Sequence, residues 1–138
     1  MKRLLSLIIA VSSMLSTVWA YDFSVVVPSG QTLYFDTISS TKVRVTYPKD
    51  TNKFDGGYLG YAMPTGNLEI PSSITYGGNT YSVTSIRSGT FYNCSGLTSV
   101  IIPNSVTSIN KSTFYNCSGL TSVSIPTSVT TIGDYAFY

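Results

Sequence analysis

The chain has 138 residues, eight Lys or Arg against six Asp or Glu, and no His. Lys2 and Arg3 account for the excess of positive charge. The rest is neutral without a basic stripe, so it gains nothing from counterion release on a phosphate backbone, which excludes a nucleic-acid partner. Only 10% of residues are charged and 40 are Ser or Thr, so hydroxyls carry the solubility; the wealth of Thr, Val, Ile and Tyr fits pleated strands, and the expected fold class is mainly β.

Residues 1–20 read as a secretory signal peptide. Lys2 and Arg3 supply a positive start, Leu4 to Leu15 form the apolar run, and Val18 and Ala20 hold the two positions tested for cleavage, so the mature chain begins at Tyr21. The run falls short of the ~20 residues that span a bilayer. Position 21 is Tyr rather than Cys, which leaves no acceptor for lipid attachment. No later stretch is apolar enough to cross a membrane, and the expected location is extracellular, secreted or at the cell surface.

Residues 21–66 carry three alternating stretches, Phe23 to Val27, Thr32 to Phe35 and Lys42 to Tyr47, separated by Gly, Pro, Asp and Ser. Two or three antiparallel strands are expected, forming a β-rich N-terminal cap over the bare edge and apolar face of the segment after residue 66. Asp50 to Gly56 echoes a calcium loop, but Phe54 occupies a ligand position and the closing Glu is missing, so a solvated turn is expected instead. With no His and with acids scattered among turns, no catalytic, metal or cofactor site is expected.

From residue 67 a repeat dominates. Asn93-Cys94-Ser95-Gly96-Leu97-Thr98-Ser99-Val100 returns 23 positions later as Asn116-Cys117-Ser118-Gly119-Leu120-Thr121-Ser122-Val123, and Ile102-Pro103, Val106, Ile109 and Phe114-Tyr115 return in step. An earlier copy starts at Ile70-Pro71 and resumes nine residues late at Ser82 to Ile86. Between these, Tyr76-Gly77-Gly78-Asn79-Thr80-Tyr81 has the centre and flanks of a short hairpin. A fixed period in the twenties means stacked coils, because one coil cannot hide its own apolar face. Leu97-x-x-Val100-x-Ile102 reads as a strand ended by Pro103, Val106 and Ile109 as the turning side, and Asn110 to Tyr115 as one helical or 3₁₀ turn that drops Phe114 inward. Phe91, Phe114 and Phe137 then form a ladder, with Tyr92, Tyr115 and Tyr138 beside it.

These residues resemble the BspA-type class of bacterial leucine-rich repeats, with the form L-x-x-V/I-x-I-P-x-x-V-x-x-I-x-x-x-x-F-x-x-C, over residues 67–138. The resemblance implies a short leucine-rich-repeat solenoid of about two and a half repeats behind the cap, and a surface protein that binds or adheres to proteins without catalysis. Ser105 and Ser128 stand where the generic pattern wants Asn or Cys, so the usual asparagine ladder is absent there.

Thr98, Ser99, Ile101, Thr121, Ser122 and Ser124 are the candidate protein-contact positions, on the exposed strand face that stacked-coil proteins use. They lack the Trp, Tyr and Arg anchors that dominate binding energy, so a weak or avidity-dependent contact with a host, neighbouring-cell or matrix protein is the functional expectation. Its alternative is a structural element that self-associates through an uncapped C-terminal coil, since Tyr138 stops short of the next Asn-Cys-Ser-Gly and a truncated gene is the plain explanation. Cys94 and Cys117 share a repeat position and could bond, but equivalent side chains point in parallel; free buried thiols are the preferred reading, and without His they make no zinc site. Asn93, Asn110 and Asn116 lie in glycosylation-like triplets, and for Asn93 and Asn116 side-chain bonds to the coil's own backbone are expected.

Overall fold

The structure, a computed structural model, describes residues 21–48, 58 and 60–138. The expected signal peptide, residues 1–20, and the expected solvated turn at Asp50 to Gly56 lie outside the described residues. Among the described residues there are ten strands and no helix.

The three alternating stretches of the leader become β1 (Phe23–Val26), β2 (Thr32–Thr37) and β3 (Lys42–Thr46), an antiparallel meander with Phe23 opposite Phe35 and Asp36 opposite Arg44. Strand alternation turns Leu33, Phe35, Val43 and Val45 inward, where all four are fully buried. On the outer side the Arg44 Nε donates to Asp36 Oδ2 at 2.8 Å. Arg87 reaches the same carboxylate at 3.7 Å and lies 4.9 Å over the Tyr47 ring, which ties the leader to the repeat region.

The next strands are β4 (Gly66–Glu69), β5 (Ser73–Tyr76) and β6 (Asn79–Ile86). β5 and β6 make the expected hairpin, closing at Tyr76 opposite Asn79. Its two central residues, Gly77 and Gly78, have φ of 60° and 79°, the doubly positive turn whose twist matches that of the flanking strands and that a side chain would strain. β6 also pairs in parallel with β3, so leader and repeats share one sheet.

The two repeats after the interrupted copy then supply β7 (Leu97–Ile101), β8 (Ser108–Ile109), β9 (Ser122–Ser124) and β10 (Thr131–Ile132). Each repeat gives one strand to each of two parallel ladders. One ladder is β4-β7-β9; the other continues the leader sheet as β3-β6-β8-β10. The register is the repeat length itself: Val100 faces Val123, Ile86 faces Ile109, and Ile109 faces Ile132. In the interrupted first copy Leu68 faces Val100, nine residues beyond the regular offset, which is the length that the β5–β6 hairpin adds.

One local expectation is corrected and one is narrowed. The turning side at Ser108–Ile109 is itself a short strand, because stacked copies let its backbone groups pair in parallel. The segment from Asn110 to Tyr115 takes the 3₁₀-type form of the expected turn and not the α-helical one, and it buries Phe114. Thr113 N–H bonds Asn110 C=O and Tyr115 N–H bonds Ser112 C=O, while Ser112, at φ 54°, breaks the right-handed path a helix needs.

Side chains stack with the backbone. Phe114 lies between Phe91 and Phe137, with ring centroids at 5.2 and 5.3 Å and planes within 13° and 8°. Tyr115 lies likewise between Tyr92 and Tyr138, at 4.7 and 5.2 Å. Gly119 carries the chain past the preceding repeat so closely that a Cβ there would sit 2.3 Å from the Ser95 carbonyl oxygen. Phe91 and Phe114 are fully buried, whereas Phe137 is 42% exposed. Phe114→Ala is therefore expected to cost about 3–5 kcal/mol in urea unfolding, from lost burial and the cavity left between two rings. Phe137→Ala should cost clearly less, and equal costs would show that the rings do not form a graded stack.

Candidate functional site

Strand alternation in β4, β7 and β9 buries Leu68 and Val100, half-buries Val123, and turns their neighbours to the outer face. The register sets these neighbours in columns. Asn67 pairs with Ser99 and Ser99 with Ser122; Glu69 pairs with Ile101 and Ile101 with Ser124. Thr98, Thr121, Ser122 and Ser124 are exposed, Ser99 is half-buried, and Ile101 is 49% exposed. Five of the six sequence-predicted positions thus lie in β7 and β9, and Thr121 lies just before β9 with its N–H bonded to Thr98 C=O.

Sequence reasoning missed the first row of that face, Asn67 and Glu69. The signal was present: Ile70-Pro71 aligns with Ile102-Pro103, and stepping back from each places Asn67 beside Ser99 and Glu69 beside Ile101.

Hydroxyls on the face donate to the Asn67 side chain and to the backbone. Asn67 Oδ1 accepts from Thr98 Oγ1 at 3.1 Å and from Ser99 Oγ at 2.8 Å. Thr121 Oγ1 donates to Thr98 C=O at 3.1 Å. The open side of β4 is plugged by Gln31, whose side chain imitates a peptide group: Nε2 donates to Asn67 C=O and Oε1 accepts from Thr65 N–H, both at 3.0 Å.

On the turn edge of the repeats, Asn116 Nδ2 donates to Asn93 Oδ1 at 2.9 Å. This corrects the expectation for Asn116: its amide continues a side-chain ladder. Both residues sit at positive φ (61° and 55°), where Asn is tolerated better than most side chains. Asn110 does bond the backbone, donating to Ile86 C=O at 2.6 Å. At the two serines of the generic Asn position, Ser128 Oγ donates to Val106 C=O at 2.8 Å, while Ser105 Oγ is buried without a partner.

With this geometry in view, residues 67–138 match the family described as BspA type leucine rich repeat region (6 copies). The chain belongs to the BspA-type leucine-rich-repeat family. Its fold is similar to that of a leucine-rich repeat protein from Bacteroides capillosus, at 23% identity and a TM-score of 0.61, over 83% of this chain and 73% of that one. It is also similar to a leucine-rich repeat protein from Bacteroides ovatus, at 24% identity and a TM-score of 0.54, over 85% of this chain but only 33% of that longer one. Among curated proteins none matches the sequence. No helix among the described residues is long and apolar enough to cross a membrane, and these residues hold no cluster of three or more His, Cys, Asp or Glu.

The cysteines of the BspA-type chain are free and buried. The Cys117 thiol lies 3.0 Å from the Phe91 carbonyl oxygen as its donor. Burial, with the Cys117 thiol nearby, pushes Cys94 up to about 12, and burial pushes Cys117 up to about 11. Burial likewise holds the Tyr58 hydroxyl well above its usual range. These thiols are packing groups and poor nucleophiles.

The buried thiols make stability depend on pH, with a definite sign. The folded chain keeps thiol protons that the unfolded chain releases near 9.0. Stability is therefore unaffected by these groups below about pH 8 and falls as pH rises through 9 toward 11, by up to about 1.4 kcal/mol per pH unit for each thiol. Urea midpoints across this range should show the fall, and Cys94→Ala should reduce its slope between pH 9 and 10. A slope unchanged in that variant would remove Cys94 as its source.

Proposed function

We propose that this BspA-type chain is an exported, non-catalytic protein-binding module that adheres to proteins at the cell surface or in the surrounding matrix. In this reading residues 1–20 direct export, residues 21–66 cap the first coil, and the repeats form a short solenoid whose outer face meets the partner. One observation carries it: β7 and β9 set Ser99 opposite Ser122 and Ile101 opposite Ser124, with Thr98 and Thr121 joined beside them. Such a face suits an extended contact built from many small interactions. Family membership supports binding over chemistry, and the signal-like start supports export.

Ser122→Arg with Ser124→Arg places bulk and charge on the exposed face without touching the core. Both sites are exposed, so unfolding free energy should stay within about 0.5 kcal/mol. Binding of the purified chain to a panel of immobilised matrix proteins, followed by surface plasmon resonance, should be measurable for the parent and lost in the variant. Undiminished binding by the folded variant would remove this face as the contact.

A second reading, stacking of one copy on another, has its own observation. Ile125, Ile132 and Phe137 in the third repeat are 42%, 54% and 42% exposed, the apolar surface that a further coil would cover. Sedimentation over a range of concentrations separates the two. Stacking predicts mass that rises with concentration and falls back with Ile132→Lys; a monomer throughout favours the binding module alone.

A further inference from the structure

The outer face is not uniform. At its leading end the β1–β2 turn, closed by Gly30 N–H to Val27 C=O at 2.8 Å, brings Pro28 and Ser29 against β4 and walls a groove of 220 Å³. Its other lining comes from Asn67, Leu68 and Glu69 of β4 and from Ser99 and Ile101 of β7.

Three chemical features meet there. Glu69 is exposed, is the one charged side chain in the three strands of this sheet, and forms no ion pair with any described residue. Ile101 beside it, 49% exposed, is the largest apolar side chain that these strands turn outward. Asn67 has its oxygen filled by two hydroxyl donors, so its Nδ2 hydrogens are what it offers a ligand. A lone carboxylate next to an apolar surface and an amide donor complements a cation next to an aliphatic group and a carbonyl.

We propose that this groove receives an extended peptide segment of the partner that carries a Lys or Arg beside an aliphatic residue. The cation faces Glu69, the aliphatic side chain lies on Ile101, and a peptide carbonyl accepts from Asn67 Nδ2. The segment then continues along the hydroxyl columns toward Ser122 and Ser124. The inference rests on the outer face being the binding side and adds the chemistry of what it selects. Charge complementarity supplies selectivity here more than raw affinity.

The probes are two labelled nine-residue peptides of Val, Ile and Thr, identical but for a central Lys or Glu, titrated at low salt by fluorescence anisotropy. The Lys peptide should bind about fivefold more tightly than the Glu peptide, the ratio an exposed charge pair supports. Glu69→Lys should invert the preference, and Ile101→Ser should weaken both peptides while keeping their order. Equal affinities, an order unchanged by Glu69→Lys, or no binding of either peptide at millimolar concentration would overturn the proposal.

The two readings fail separately. If the Ser122 and Ser124 substitutions abolish matrix-protein binding but the peptides are not discriminated, the outer face stands and the groove falls. If Glu69→Lys inverts the peptide order while those substitutions leave matrix binding intact, the groove stands and the wider face falls.

Discussion

The repeat region of this structure depends on equivalent atoms lying one above another at strand spacing. The Phe91, Phe114 and Phe137 rings, 5.2 and 5.3 Å apart, can stack only if each repeat follows the same path in the same number of residues. Backbone hydrogen bonds impose the same condition. Thr121 N–H reaches Thr98 C=O and Thr130 N–H reaches Thr107 C=O, each across one period. One inserted residue within a coil would break the bonds and unstack the rings together, so the repeat length is held by two independent penalties. Gly119 shows how tight the tolerance is, since even a methyl group there meets the backbone of the previous repeat.

The first copy breaks the period by nine residues and survives because the surplus is closed off. The β5–β6 hairpin pairs with itself, turns on Gly77-Gly78, and returns the chain in register for Ile86 to meet Ile109. The extra strand also anchors the leader. Tyr76 stacks on Phe23 at 4.3 Å, and Tyr81 lies 5.8 Å from the same ring. An insertion that pairs internally costs little at the ladder and adds an apolar contact with the neighbouring segment.

Much of this was legible in the residues because repetition multiplies weak signals. One Leu-x-x-Val pattern says little, but the same pattern returning with Ile-Pro, Phe-Tyr and Asn-Cys in step fixes the period, the stacked rings and the buried thiols. The Gly-Gly hairpin was legible for a different reason, since few residues tolerate two successive positive φ values. The second ladder was not. Ser108–Ile109 and Thr131–Ile132 are two-residue strands whose pairing exists only between copies, and local pattern carries no trace of it. The choice between the two turn types after Asn110 was not legible, because Phe114 looks the same in sequence whether an α-helical turn or a chain of tight turns delivers it. In the outer face, the six repeated positions were found because they repeat. Asn67 and Glu69 were missed because they do not, and Gln31, 36 residues from Asn67 in sequence, meets it only through the fold.

That contrast bears on how such a face can discriminate. Along β7 and β9 the hydroxyls are small, repeated and partly spent on Asn67 and the backbone, so each offers a partner little that its neighbour does not. A repeated surface alone therefore yields contact without identity, gaining strength only as rows are added. Identity has to enter where repetition fails, and in this fold it fails at the first row. There the interrupted copy supplies an amide where the later rows have Ser99 and Ser122, and an acid where they have Ile101 and Ser124, and the leader folds a turn against them. The first row is thus the place on the sheet where a charge and a walled groove meet, and a singular site is what specific recognition requires.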